Sequence, residues 1–378
     1  MPLSDHDIER TRRAVSLARK GFFQVEPNPP VGCVIERGEE GVVGEGWHAA
    51  YGGPHAEVAA LRLAADRAQG ATAYVSLAPC GQHGKTPPCA DALVQAGVTR
   101  VVYAAADPSP VEQHAGLERL RRAGVEVEGP VELVRAEAEA LLERFQRMLD
   151  RTRPWTVLKW AMSLDGSIAP KPGVGGAISG RRARILTHEW RGSADAVAVG
   201  VGTILADDPL LTCRLEDGPP FGRSQPKRVV FDTHLRTPVD GRLAMDAYET
   251  PVILMAGPDA DPERRKALEA AGCSVEVVPL TVEGRLDLEA ALERLGTLGI
   301  RRLLVEGGAD IHGSLLTAGL ADQVSAYVAP RILGGADAVP AVRGTPIADA
   351  EEALVLEDVM WRRLGDDLLM QGYVPPIV

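Results

Sequence analysis

Rings and thiols are scarce in this chain of 378 residues: aromatics make up 4%, and there are five cysteines. Few rings leave the cores to Val, Leu and Ala. The cysteines, at 33, 80, 89, 213 and 273, are odd in number and widely scattered. That excludes a disulfide framework and points to a reducing compartment. Positive charge is also in deficit, with 41 Lys and Arg against 52 Asp and Glu, a net charge of −11. A bulk nucleic-acid or anionic-membrane binder carries the opposite imbalance, although a local basic pocket for a small phosphate stays possible. No uninterrupted apolar run approaches the ~18 residues of a membrane span. The opening Met-Pro-Leu-Ser-Asp-His-Asp puts charge where a signal peptide needs an apolar stretch. These absences predict a cytoplasmic protein that engages neither nucleic acid nor membrane. What is present, 45% hydrophobic and 25% charged residues with 40 Gly and 28 Pro, suits a folded protein rich in turns. The length suits two domains.

Helix and strand alternate through the first half. Residues 6–20 carry apolar positions at helical spacing and stop at Gly21. Pro27-Asn28-Pro29-Pro30 excludes helix, 31–35 reads as a strand, and 42–46 as its hairpin partner. Pro54 suits the first residue of a helix running to about 67. A strand at 73–77, a helix at 88–96, a strand at 98–104 and helices at 116–123 and 133–149 follow. Arg151-Thr152-Arg153-Pro154 ends that pattern, which puts a domain boundary near 150, with domains 1–150 and 151–378. Beyond it, strands at 156–161, 196–200, 228–231, 252–255, 274–278, 302–306 and 324–328 alternate with helices near 181–191, 262–271, 287–296 and 310–318. That alternation predicts a largely parallel sheet covered by helices, an α/β class throughout.

The most specific pattern is His55-Ala56-Glu57, then Pro79-Cys80, then Cys89. One imidazole and two thiolates leave a fourth tetrahedral position open on Zn²⁺, the arrangement of a catalytic site. Glu57 beside such a metal can move the proton of a bound water to a leaving amine. This order is the signature of zinc nucleobase deaminases, except that eight residues rather than two separate the cysteines. The bland alternative makes His55 a helix cap and the thiols small core residues. His48 and His83 are rival ligands: His48 reads better as a pocket wall, His83 as a substrate contact. Lys85 and Thr86 suit a phosphate, with a merely solvated lysine as the alternative.

Asn28-Pro29-Pro30-Val31-Gly32, His55-Ala56-Glu57-Val58, Cys80 through Gly84-Lys85-Thr86-Pro87-Pro88-Cys89 and Asp107-Pro108 resemble the deaminase half of the bifunctional riboflavin-biosynthesis deaminase/reductase family. Lys159-Trp160-Ala161-Met162-Ser163-Leu164-Asp165-Gly166, Gly200 through Asp207-Asp208-Pro209, Leu211-Thr212-Cys213-Arg214, Glu306-Gly307-Gly308 and Ala329-Pro330-Arg331 resemble its reductase half. The longer cysteine spacing is that family's own. The resemblance implies a cytidine-deaminase-like α/β/α domain followed by a dihydrofolate-reductase-like α/β domain. It implies deamination of a phosphorylated diaminopyrimidine, then reduction of its ribosyl group to ribityl. It implies one Zn²⁺ per deaminase domain, NADPH, and a homo-oligomer, dimer or tetramer, built through the reductase domain.

Residue by residue, the resemblance puts zinc on His55, Cys80 and Cys89 and the proton shuttle on Glu57, with deaminase substrate contacts at Asn28, His83, Lys85, Thr86 and Asp107. It puts NADP contacts at Ala161, Thr203, Asp207, Thr233, Gly308, Ala309, Asp310, Ile311, His312, Gly313 and Ser314. It puts reductase substrate contacts at Lys159, Arg191, Leu211, Arg214 and Glu306. Read without the family, the glycine turn at 307–308 is equally an ordinary β–α turn, and Arg191 an ordinary solvated arginine. Lys159 interrupts an apolar strand and needs an anionic partner, for which Glu306 is a candidate. The chain departs from the family at Gly81-Gln82, at Ser109, at His114-Ala115 and at Gly175-Gly176-Ala177, where a Ser and an aromatic are usual. The last departure predicts weakened NADPH binding. Two rival readings remain: a zinc deaminase of another base with a degenerate second domain, and a non-catalytic nucleotide sensor with structural zinc.

Overall fold

The computed structural model describes residues 3–81, 88–109, 114–344 and 349–376. The fold starts with a helix cap at Ser4. Its hydroxyl accepts from the Asp7 amide at 3.2 Å while the Asp7 carboxylate accepts from the Ser4 amide at 2.9 Å. This capping box starts α1 (Asp5–Ala18). There follow β1 (Gly32–Glu36), β2 (Val42–Trp47), α2 (Ala56–Ala64), β3 (Thr72–Leu77), α3 (Cys89–Gln95), β4 (Arg100–Ala105), α4 (Ala115–Arg122), β5 (Glu126–Glu128) and α5 (Glu132–Leu149). The helix foreseen from Pro54 begins at Ala56 instead, because His55 takes the extended cap position.

The strands form one sheet in the order β2-β1-β3-β4-β5, with β1 antiparallel to both neighbours and β3, β4 and β5 parallel. Side chains alternate across it, since successive strand residues point to opposite faces. Ile35, Val75 and Val101 pack with Ala56, Ala60, Leu93, Leu117 and Leu120 on one face. Val34, Tyr74 and Val102 pack with Leu17, Val134, Ala138 and Leu141 on the other. Two helical layers thus cover the sheet, an α/β/α sandwich. Asp7 is buried and accepts from Arg100 Nη1 at 2.7 Å and Tyr74 Oη at 3.1 Å, tying α1 to the sheet.

The chain divides into two compact units, Met1–Arg151 and Thr152–Val378. The second contains β6 (Trp155–Met162), β7 (Ser167–Ala169), α6 (Arg181–Ser193), β8 (Ala196–Gly200), α7 (Val201–Asp207), β9 (Lys227–Phe231), α8 (Arg242–Met245), β10 (Val252–Ala256), α9 (Pro262–Ala270), β11 (Ser274–Val277), α10 (Leu288–Thr297), β12 (Arg302–Val305), α11 (Ala309–Thr317), β13 (Gln323–Val328), β14 (Val339–Pro340), β15 (Glu357–Leu364) and β16 (Asp367–Tyr373). Nine of these strands form a sheet ordered β11-β10-β9-β8-β12-β6-β13-β16-β15. The seven from β11 to β13 are parallel, and β16 and β15 close the edge as an antiparallel hairpin. The pattern at 156–328 foretold the parallel part. It missed the hairpin, because seven of the eight β15 residues are exposed and show no buried alternation.

Candidate active sites

In the first unit, three local structures bring the ligand set together. His55 is the extended N-cap of α2, Cys80 follows β3, and Cys89 is the first residue of α3. His55 Nδ1 lies 3.2 Å from Cys89 Sγ and 3.7 Å from Cys80 Sγ, and all three atoms fall within 4.8 Å of one another. Tetrahedral zinc with bonds of ~2.1–2.3 Å needs ligand separations of about 3.5–3.8 Å, so this donor set fits the ion. The Cys89 amide donates to Cys80 Sγ at 3.3 Å, and the Ala90 amide to the Cys80 carbonyl at 3.2 Å. Hydrogen bonds from Cys89 push the Cys80 thiol down towards thiolate, whereas Cys80 and burial push Cys89 up. Glu57, in the first turn of α2, is 3% exposed. Burial raises its carboxyl first, and the neighbouring Cys80 adds to that.

Asn28 reaches this cluster through His48. Its Nδ2 lies 3.1 Å from His48 Nε2, and His48 Nδ1 lies 2.9 Å from the Pro54 carbonyl. A carbonyl only accepts, so Nδ1 carries the proton; burial holds the ring pKa down to about 4. The neutral ring therefore accepts from Asn28 at Nε2. The His48 and His55 rings sit edge to face, 5.3 Å apart, which makes His48 a wall between Asn28 and the ligands. Asp107 is buried and accepts from the Ser109 amide at 2.8 Å, a bond within its own turn. His83, Lys85 and Thr86 lie outside the described residues.

In the second unit, a buried ion cluster forms at the C-terminal ends of parallel strands. Arg191 on α6 grips Glu306, just past β12, with Nε to Oε1 at 2.6 Å and Nη2 to Oε2 at 2.9 Å. Lys159 on β6 places Nζ 3.6 Å from Glu306 Oε2 and 5.6 Å from the centre of the Tyr327 ring. Arg191 is thus not a solvated helix arginine: its side chain is 12% exposed and also donates to the Thr212 carbonyl at 3.1 Å. Burial alone would raise Glu306, but Arg191 and Lys159 outweigh it and hold the carboxyl at about 2. Burial lowers Lys159, with Arg191 adding to this and Glu306 opposing it.

The segment after α7 closes this cluster. Leu211 is buried with φ +57°, and Asp208 caps α7 with φ +41°. Arg214 is exposed; its amide donates to His188 Nδ1 at 3.2 Å. Burial, then repulsion from Arg191 and Arg242, lowers its guanidinium. Sequence reasoning missed His188 and Tyr327. His188 lies three residues before Arg191, one helical turn away on α6, and that spacing was the available signal.

The expected NADP residues fall into separate groups. Gly308 has φ +82° at the N-cap of α11, and a Cβ at Gly307 would lie 2.7 Å from Thr203 Oγ1, so the turn and α7 meet at close range. Ala309 accepts from the Arg343 amide at 2.9 Å, and Asp310 pairs with the Arg343 guanidinium at 3.4 Å. Gly313 packs on the Arg343 carbonyl, Ile311 faces Gly200, and Ser314 is half-buried. His312 turns its ring inward, 1% exposed, against Trp160 at 5.3 Å. Ala161 pairs across β13 with Tyr327, and Thr233 follows β9, its carbonyl accepting from the Gly257 amide. Asp207 is exposed and lies beside Gly175, where a Cβ would lie 1.5 Å from its Oδ1. The missing side chain at 175 is the space that carboxylate fills.

Two family models match the chain: the cytidine and deoxycytidylate deaminase zinc-binding region over residues 4–105, and the RibD C-terminal domain over residues 154–370. The riboflavin biosynthesis protein RibD of Actinobacillus pleuropneumoniae is 37% identical, over 97% of this chain and 95% of that protein. The Escherichia coli K12 protein of the same name is 39% identical, over 85% and 87%. Among solved structures, Acinetobacter baumannii RibD is 34% identical with a TM-score of 0.71, covering 98% of this chain and 99% of that one. A Thermotoga maritima diaminohydroxyphosphoribosylaminopyrimidine deaminase/5-amino-6-(5-phosphoribosylamino)uracil reductase is 31% identical with a TM-score of 0.65, over the same shares. A zinc-deaminase unit followed by a reductase unit, matched along nearly the whole chain, places it in the RibD family of bifunctional riboflavin-biosynthesis deaminase/reductases.

Proposed function

We propose that the first domain, 1–150, deaminates 2,5-diamino-6-(5-phosphoribosylamino)pyrimidin-4-one, and that the second, 151–378, reduces the product with NADPH to 5-amino-6-(5-phosphoribitylamino)uracil. The observation that carries the first step is the triad of His55, Cys80 and Cys89 with buried Glu57 beside it. His55, Cys80 and Cys89 would hold a zinc ion, which would supply hydroxide as the nucleophile at neutral pH by lowering the pKa of bound water to about 7. Glu57 accepts the water proton and hands it to the departing amine, which leaves as ammonia while the ring carbon gains oxygen. Asn28, with one amide N–H committed to His48, keeps its carbonyl and second N–H for the pyrimidinone edge. His83, Lys85, Thr86 and Asp107 complete the pocket and phosphate contacts.

For the second step, Glu306 stays ionised and anchors the sugar hydroxyls together with Lys159, while Arg191, Leu211 and Arg214 receive the phosphate end. Bound NADPH would supply the hydride to the open-chain sugar carbon, while the sugar oxygen takes its proton from solvent. Ala161, Thr203, Asp207, Thr233 and the 308–314 turn hold that cofactor. The chain's part is to fix the sugar between Lys159 and Glu306.

The cytoplasm and a homo-oligomer complete the reading. All five cysteines are free, and among the described residues no helix is long and apolar enough to cross a membrane. The sheet edge β15 exposes Val359, Met360 and Trp361, an apolar run between charged residues that a second copy would cover to give a dimer or tetramer. The test is an absorbance assay on the diaminopyrimidine ribosyl phosphate, with and without NADPH, beside a zinc determination. Deamination without NADPH, and NADPH oxidation only after it, is the expected result. Deamination with no NADPH consumption would reduce the reading to a deaminase with a degenerate second domain.

A further inference from the structure

Cys80 is gripped from two sides. In front, α3 donates the Cys89 and Ala90 amides to its sulfur and carbonyl. Behind it lies the first turn of α4, which carries no expected ligand. There the contact is backbone on backbone: a Cβ at Gly116 would lie 1.8 Å from the Pro79 carbonyl oxygen, and one at Gly81 2.4 Å from Ala115 C and Gly116 N. Two positions where the chain departs from its family, Gly81 and Ala115, therefore meet in space. One turn further, Arg119 Nη1 donates to the Gly81 carbonyl at 3.0 Å and to Asp91 Oδ2 at 3.1 Å. Asp91 lies in the first turn of α3, two residues after Cys89. One guanidinium thus bridges the segment that carries Cys80 and the helix that carries Cys89.

We propose that the Ala115-Gly116 turn, with Arg119, is the positioning element for Cys80 and sets how firmly zinc is retained; this rests on the zinc reading above. Zinc–sulfur bonds tolerate only about 0.2 Å of error. An alanine at 116 must move the Pro79-Cys80 segment by far more, because Cβ atoms essentially never approach closer than 3.0 Å. Arg119 is the smaller lever, since its side chain is 46% exposed and such pairs are weak.

The experiment measures zinc release from the full-length, zinc-loaded protein to a chromophoric chelator, for the parent, Gly116→Ala, Arg119→Ala, Arg119→Lys and Leu120→Ala. Leu120 is buried in the core on the same helix, so its loss weakens α4 packing without touching the Cys80 segment. Supporting residues of metal sites typically change affinity by about 10–100-fold. Gly116→Ala is expected to release zinc ~10-fold faster or more and Arg119→Ala about threefold faster, with Arg119→Lys between it and the parent. Leu120→Ala should lower Tm but release zinc at the parental rate while folded. Parental release rates in both Gly116→Ala and Arg119→Ala would overturn the proposal. Equal acceleration by Leu120→Ala would also overturn it, by making zinc loss a report of helix stability alone. A parent that takes up no zinc would overturn the zinc reading, and this proposal with it.

Discussion

Glu57 and Glu306 are both buried glutamates, yet the first has its carboxyl pushed up and the second has it held at about 2. Burial acts alike on both, disfavouring charge. Their neighbours decide the outcome. Glu57 sits beside the Cys80 sulfur, whose negative charge adds to the effect of burial. Glu306 lies between Arg191 and Lys159, two cations that outweigh its burial. The same residue type therefore serves two purposes in one chain. A glutamate whose carboxyl is pushed up suits taking and returning a proton, and one that cations keep ionised suits anchoring.

Exchanging the carboxylates for amides tests that contrast at its strongest. Glu57→Gln should cut deamination by about 10²–10⁴-fold, the usual worth of a general acid/base, with zinc content and the reductase step intact. Glu306→Gln should do the reverse, abolishing NADPH oxidation while deamination continues. It should also destabilise the second unit by about 3–5 kcal/mol, because two buried cations lose their partner. Urea unfolding followed by tryptophan fluorescence reads that cost, since four of the five tryptophans (155, 160, 190 and 361) lie in that unit.

A smaller effect has a fixed sign with pH. The folded carboxyl of Glu306 is depressed from the ordinary 4.5 to about 2, so its contribution to stability is complete above about pH 4.5. That contribution is lost as pH falls from there towards 2. The stability gap between the parent and Glu306→Gln, measured by urea titration at a series of pH values, should shrink over that window. A gap constant from pH 6 to pH 3 would contradict the ionised anchor.

The smallest change concerns the loop that departs from the family. Residues 173–177 are Gly, Val, Gly, Gly and Ala, with Gly175 against Asp207 and no aromatic ring among them. Ala177→Trp should tighten NADPH binding by about 1 kcal/mol, roughly fivefold in Kd. Fluorescence titration checks it, and a parental Kd as tight as the variant's would remove the argument.

The zinc set was legible because His55, Glu57, Cys80 and Cys89 occur as short runs whose spacing is itself chemical information. The parallel sheet was legible because its strands are continuous buried runs, such as 196–199 and 252–256. The Arg191–Glu306 grip was not, since it joins residues 115 positions apart, and nothing local marks a helix arginine as buried. Nor was the β15–β16 hairpin, whose outer strand faces solvent. The Gly81–Ala115 contact was hidden for a related reason: each looked like a separate lapse from a motif until the fold put them together.

The division of labour between the two carboxylates is tested most directly by giving Glu57→Gln protein NADPH and each of two substrates in turn. With the diaminopyrimidine ribosyl phosphate, it should oxidise almost no NADPH. With the already deaminated uracil, it should oxidise NADPH at the parental rate. NADPH oxidation at the parental rate with the diaminopyrimidine would contradict the account, because reduction would then need no prior proton transfer at Glu57.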